Sequence, residues 1–243
     1  MIVLLLGSGP TATRARDWPR APWDRVVTIN NAWRLRSDWD DLVFPHDFPR
    51  ERMPKRPTGR LVNEADFVPA QNAFGGFLYA GATMAFTAAY WALHALEPRV
   101  IAFLGCDMVY PQSGATHFYG KGTADPLRND VSLRNLEAKS ARAQCHAAAQ
   151  GCTFLNLSTE ESRLTFPRAT PANLTGRPRI DPAAAAEAKA MEDALDYRTP
   201  AGFHDHLSPD IAALDAIDAL WTRAGGCDPA LAGSVRTGRS KAQ

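Results

Sequence analysis

Short apolar runs alternate with polar, turn-rich segments through the first two-thirds of the chain. Residues 2–6, Ile-Val-Leu-Leu-Leu, form a continuous apolar run stopped by Gly7, the pattern of a strand buried on both faces of a parallel sheet. Further strands are predicted at 25–30 (RVVTIN), 42–44, 60–62, 99–104 (RVIAFL) and 152–157 (CTFLNL). Between them, Pro10 can open a helix after the turn Gly7-Ser-Gly-Pro-Thr. The small-residue stretch from Phe77 to Leu96 predicts one long helix closed by Glu97-Pro98. Val131 to Gln150 predicts another, with Ser132 as its cap and Gly151 at its end. Strand, helix and strand in this order predict an α/β fold, a Rossmann-like and mostly parallel sheet with helices on both faces.

Beyond Phe166 the pattern changes. Residues 1–166 read as the nucleotide-binding or transferase domain and 167–180, rich in Pro, Thr, Arg and Asn, as a linker. Amphipathic helices at 181–197 and 208–224 make a helical annex over 181–224, and 225–243 reads as a flexible tail. Ile211, Leu214, Ile217, Leu220 and Trp221 share one stripe, which serves either to pack the annex on the domain or to join two copies in a homo-oligomer.

Composition narrows the classes. The 243 residues carry 27 Lys plus Arg against 26 Asp plus Glu, a net charge of +1, so the chain as a whole offers no electrostatic footprint for nucleic acid. Cys106, Cys145, Cys152 and Cys227 contain no CxxC pair, and no metal site is expected. The uncharged run 77–96 has the length of a membrane span, but Gly81, Thr83, Thr87 and His94 make it only modestly apolar, and no cluster of Lys or Arg flanks it. A buried helix is expected there, not an integral membrane segment. The opening residues lack a basic stretch before their short apolar run, and the expected location is cytoplasmic.

Three groups of residues carry candidate chemistry. Gly7-Ser8-Gly9-Pro-Thr11-Ala12 fits G-x-G-x-x-A after a strand, a context for phosphate binding, although a tight strand-to-helix turn uses the same residues. Asn30 and Asn31 stand where dinucleotide enzymes carry an acidic residue, which favours a nucleotide over NAD. Asp107, directly after the strongest strand, lies where parallel sheets bind ligands; it holds a ligand hydroxyl or braces the loop. The long loop from Asp107 to about Asp130 contains Thr116-His117-Phe118-Tyr119-Gly120-Lys121-Gly122. There His117 is a candidate general base, with Tyr119 and Lys121 as donors to phosphate oxygens. His46-Asp47, after the third strand, could face the same edge.

The order of these signals resembles that of the bacterial lipooligosaccharide sialyltransferases of glycosyltransferase family 42 and the related MptE-like 6-hydroxymethylpterin diphosphokinases. The likeness runs over roughly residues 1–165: strand 2–6, Gly7-Ser-Gly-Pro-Thr11, strand 26–30 ending in Asn30, small-residue helix 81–93, strand 100–104 leading to Asp107, aromatic loop 110–119, then helix and strand to Leu157. It implies an inverting transfer from a CMP-linked sugar to a hydroxyl of a glycan or small-molecule acceptor, without a metal or other cofactor. Ser8 and Gly9 would line the nucleotide site and Asn30 would match the strand-end asparagine. Gly81 and Ala82 would lie near the donor phosphate, and Tyr110 near a phosphate-binding tyrosine. Alignment on Tyr-x-Gly puts Lys121 at the family's histidine, with His117 just before it. The two alternatives are an ATP- and Mg-dependent pyrophosphoryl transferase, with Asp47 and Asp107 as carboxylates, and a non-catalytic nucleotide-binding module.

Overall fold

The computed structural model describes residues 1–110, 114–122, 129–198 and 208–226. Six strands, β1 (Ile2–Leu6), β2 (Arg25–Ile29), β3 (Asp41–Val43), β4 (Arg60–Val62), β5 (Val100–Leu104) and β6 (Thr153–Asn156), make one sheet in the order β4-β3-β2-β1-β5-β6. Every neighbouring pair is parallel. β1 and β5 are buried along their whole length, which accounts for their unbroken apolar runs. The chain steps outward from β1 to β4, then returns to place β5 on the other side of β1. That reversal puts a crevice between the carboxyl ends of β1 and β5.

The two faces are covered differently. One packs Val3, Leu5, Val27 and Phe103 against α1 (Glu64–Ala73), α3 (Met84–Leu96) and α4 (Leu136–Ala149). The other packs Leu4, Leu6, Val26 and Leu104 under Trp23, Trp39 and short 3-10 turns at Pro10–Ala15 and Asn30–Leu35. The helix expected after Pro10 is therefore a six-residue 3-10 turn. The expected α/β sheet with helical cover on both faces is present, with α-helices on one side and 3-10 turns on the other.

The apolar stretch 77–96 is not one helix. It breaks into α2 (Phe77–Ala80) and α3 at Gly81, whose φ of 89° an L side chain adopts only under strain; Thr83 then caps α3 by accepting from the amide of Phe86. Among the described residues no helix is long and apolar enough to cross a membrane. α1, which the apolar pattern does not announce, starts with a capping box in which Asn63 accepts from Ala65 and Asp66 accepts from the amide of Asn63. The helix expected from Val131 begins at Leu136, capped by Asn135. Ser132 belongs to a preceding 3-10 turn and is bonded to Asp130.

The C-terminal helices α5 (Pro182–Leu195) and α6 (Ile211–Ala224) form a layer over α4 and α2, with Leu214, Ile217 and Trp221 buried. That stripe packs inward. Its partner Ile211 is exposed, and Leu220 is partly buried. The 225–243 tail lies outside the described residues apart from Gly225 and Gly226, as does Cys227. Cys106, Cys145 and Cys152 are buried and in no disulfide among the described residues, which contain no cluster that could hold a metal ion.

Candidate functional site

A cavity of about 360 Å³ opens at the crevice between β1 and β5, the point where open parallel sheets bind ligands. The turn after β1 supplies Gly7, Ser8, Gly9 and Thr11, the end of β2 supplies Ile29 and Asn30, and the turn after β5 supplies Asp107 and Tyr110. The aromatic loop adds His117 and Tyr119, and Glu160 and Glu161 stand on the wall beyond β6. Thr83, Met84 and Ala85, at the start of α3, complete it. No Lys or Arg lines the cavity among the described residues.

The glycine turn is shaped by the neighbouring strand. A Cβ on Gly7 would lie 2.3 Å from the carbonyl oxygen of Gly105, and one on Gly9 would lie 2.8 Å from the same atom. The amide of Gly7 donates to Leu104 at 2.9 Å and that of Gly9 to Gly105 at 2.8 Å. Both glycines thus allow the β1 and β5 turns to touch, and their N–H groups are already used. The turn lines the cavity with Ser8 and Thr11 between and beyond these two packed glycines. The first turn of the thirteen-residue α3 adds Met84 and Ala85 to the lining, and their amides have no intrahelical acceptor.

Two acceptors on the opposite side have no partner. Asn30 Oδ1 and Asp107 Oδ1 are buried without a hydrogen bond among the described residues, while Asp107 Oδ2 accepts from Thr11 Oγ1 at 3.1 Å. Both residues also belong to the cavity lining. Three residues here have left-handed backbone: Asn30 with φ 52°, Met108 with φ 55° and Gly105 with φ 73°. Asn and Gly tolerate this region readily, but Met does not, and such residues gather at ligand sites. Cys106 between them is an inert thiol: burial first, then Asp107, pushes its pKa far up.

The aromatic loop is tied to the glycine turn by the amide of Phe118, which donates to Ser8 at 3.0 Å, and closes on itself through paired backbone bonds between His117 and Gly120. His117 stacks on Tyr119 with centroids 5.0 Å apart, and Tyr110 lies 6.1 Å away on another side. Its Nδ1 is 2.9 Å from Thr116 Oγ1, which also accepts from the amide of Gly122. When Nδ1–H donates to Thr116, the threonine proton turns to the Gly122 carbonyl, 3.4 Å away, and Nε2 is left as the basic atom. Burial lowers the His117 pKa, so the ring is neutral at pH 7.

Of the sequence-predicted residues, Gly7, Ser8, Gly9, Thr11, Asn30, Asp107, Tyr110, His117 and Tyr119 share this cavity. Lys121 does not line it; its side chain is exposed. Asn31 is turned into the protein and is 2% exposed. Gly81 lies against Lys139 and Phe86, and Ala82 is buried, two and one positions short of the residues that reach the cavity. His46 and Asp47 are exposed and outside it, with His46 beside Glu64 at 3.2 Å. Met84, Ala85, Glu160 and Glu161 were missed from the sequence; Thr83 before an apolar helix was the available signal for the first two.

No protein-family model matches this chain, and neither a curated protein nor a solved structure does.

Proposed function

We propose that this chain is a nucleotide-sugar-dependent glycosyltransferase that moves a sugar from a CMP-linked donor to an acceptor hydroxyl with inversion. The observation that carries the reading is the gathering of His117, half-buried and with its pKa lowered by burial, the first turn of α3, Asn30 and Asp107 around one cavity. In this reading the donor phosphate meets the amides of Met84 and Ala85, and Asn30 and Asp107 accept from the donor's hydroxyl or amino groups. His117 Nε2 takes the proton of the acceptor hydroxyl as its oxygen bonds to the anomeric carbon. The bond from that carbon to the phosphate oxygen breaks, and the nucleotide leaves as the monophosphate. Charge developing on it is met by the helix amides and by the hydroxyls of Tyr110 and Tyr119.

The test is a melting-temperature series with CMP, CMP-sialic acid, ATP with Mg²⁺, and NAD, followed by a CMP-release assay on whichever sugar donor binds. Stabilisation by CMP and its sugar conjugate is expected, because a ligand bound only by the native state raises Tm by mass action. No shift with CMP or CMP-sialic acid at millimolar concentration would remove the reading. A shift with ATP that requires Mg²⁺ would instead favour pyrophosphoryl transfer, although Asp47 does not join Asp107 at the cavity.

A further inference from the structure

The near-zero net charge conceals a local gathering of exposed cations on one side of the sheet. The face covered by 3-10 turns carries Arg34, Arg50, Arg52, Lys55 and Arg56, all exposed and none in an ion pair among the described residues. Glu51 is the one carboxylate between 50 and 56. On the far side of the sheet, α5, α6 and the residues flanking them expose six Asp and Glu, four of them in ion pairs with Arg134, Lys189, Arg198 and Arg223; Glu192 and Asp218 are buried on Arg142 and Lys139. A polyanionic surface is therefore drawn to the 3-10 face, where the cations are unpaired.

The basic face has apolar groups between its charges. Trp33 and Met53 are partly exposed and rest on the core cluster beneath this face. The Arg34 guanidinium lies 5.5 Å from the Trp33 ring centroid, and the indole N–H donates to the Arg52 carbonyl at 3.1 Å, which joins the two basic segments. Pro45, Pro49, Pro54 and Pro57 stiffen the connection that carries four of the cations, so little order has to be gained on docking. Arg34 lies over the Trp33 ring, which also packs on the core, so the ring is only partly open to a nucleic-acid base. Basic side chains around a partly exposed Trp and Met suit the boundary of a lipid bilayer instead.

We propose that this face docks the protein on an anionic lipid bilayer. The surface begins next to the cavity, since Trp33 and Arg34 follow Asn30 in the same 3-10 turn, so docking would hold the site close to the headgroups. It does not depend on the glycosyltransferase reading.

The experiment is co-sedimentation of the full chain with vesicles of phosphatidylcholine alone and of phosphatidylcholine with phosphatidylglycerol, at low and high NaCl. Binding is expected only to the anionic vesicles and only at low salt. The quadruple variant R50Q/R52Q/K55Q/R56Q should bind at least about 100-fold more weakly, given the contribution of each basic residue near an anionic surface. The control R99Q/R177Q/R179Q, which removes exposed charges elsewhere, should bind like the parent. All these side chains are exposed, and an unchanged melting curve verifies the fold of each variant. Absence of binding to anionic vesicles at low salt would overturn the proposal. So would equal binding by the quadruple variant and the parent, or tighter binding to a single-stranded oligonucleotide than to the vesicles.

Discussion

At the scale of single residues, His117 carries the sharpest expectation. Its ring is half-buried between Tyr110 and Tyr119, and burial depresses its pKa. A base must be neutral to act, so transfer should be constant above the ordinary histidine value of about 6.5 and fall only below the lowered native value. His117→Ala should cost about 10²- to 10⁴-fold in kcat while leaving CMP binding, read by Tm shift, within a few-fold of the parent. A rate retained by the alanine variant, or a profile still falling above pH 7, would reject the role. Lys121→Ala should change the rate little, because Lys121 lies outside the cavity. The sequence already held His117 and Lys121 side by side as candidates. It could not separate them, since that depends on the turn closed by the His117–Gly120 backbone pair, which leaves one side chain in the cavity and the other in solvent. The glycine motif was legible in the same partial way. Its close packing on Gly105 follows from a parallel β1–β5 pairing, which no local pattern encodes.

At the scale of elements, the strands were readable because a parallel strand buried on both faces needs an unbroken apolar run, as in β1 and β5. Helices were read less accurately wherever a cap or a single backbone angle decided the boundary. Gly81 splits a run whose composition is helical throughout, and the capping box of Asn63 and Asp66 starts a helix with almost no amphipathic signal. The annex was visible as two amphipathic segments, but not the means of its attachment. Arg142 of α4 donates through Nε and Nη2 to the two oxygens of Glu192 on α5 at 2.7 Å, and through Nη1 to the Tyr90 hydroxyl at 2.6 Å; its Nη2 also donates to the Phe74 carbonyl. Trp221 of α6 donates to the same glutamate at 2.7 Å, and Lys139 reaches Asp218 on α6 at 2.9 Å. Glu192 is thus the point where α4, α5 and α6 meet. Glu192→Ala leaves Arg142 buried without its counter-charge and should cost about 3–5 kcal/mol in urea unfolding. The double change R142M/E192M, which removes both charges and keeps apolar volume, should recover most of that loss. If the single and double variants were equally unstable, packing and not the ion pair would govern the attachment.

At the scale of the whole molecule, composition reports a balance of charges and is silent about where they lie; only the fold gathers Arg34 and the cations of 50–56 on the 3-10 face. The same assembly of layers encloses a second histidine in a setting its sequence position does not suggest. His146 of α4 sits among the rings of Phe74, Tyr90 and Trp221, and its Nε2 is buried without a partner among the described residues. Burial foremost, then the positive charges of Arg142 and Lys189, holds its pKa well below the ordinary value. The native state therefore resists a proton that the unfolded chain accepts near pH 6.5. Stability is fully present above that pH and drains away as the pH falls through the native value, at up to about 1.4 kcal/mol per pH unit for one group. His117 adds a shift of the same sign. Urea unfolding between pH 7.5 and 5 should show this decline. His146→Phe keeps the aromatic contacts and removes the unpaired nitrogen, so it should match or exceed the parent at pH 7.5 and lose distinctly less stability by pH 5. An equal acid-induced loss in parent and variant would mean that protonation of His146 does not open the junction between α4 and the annex.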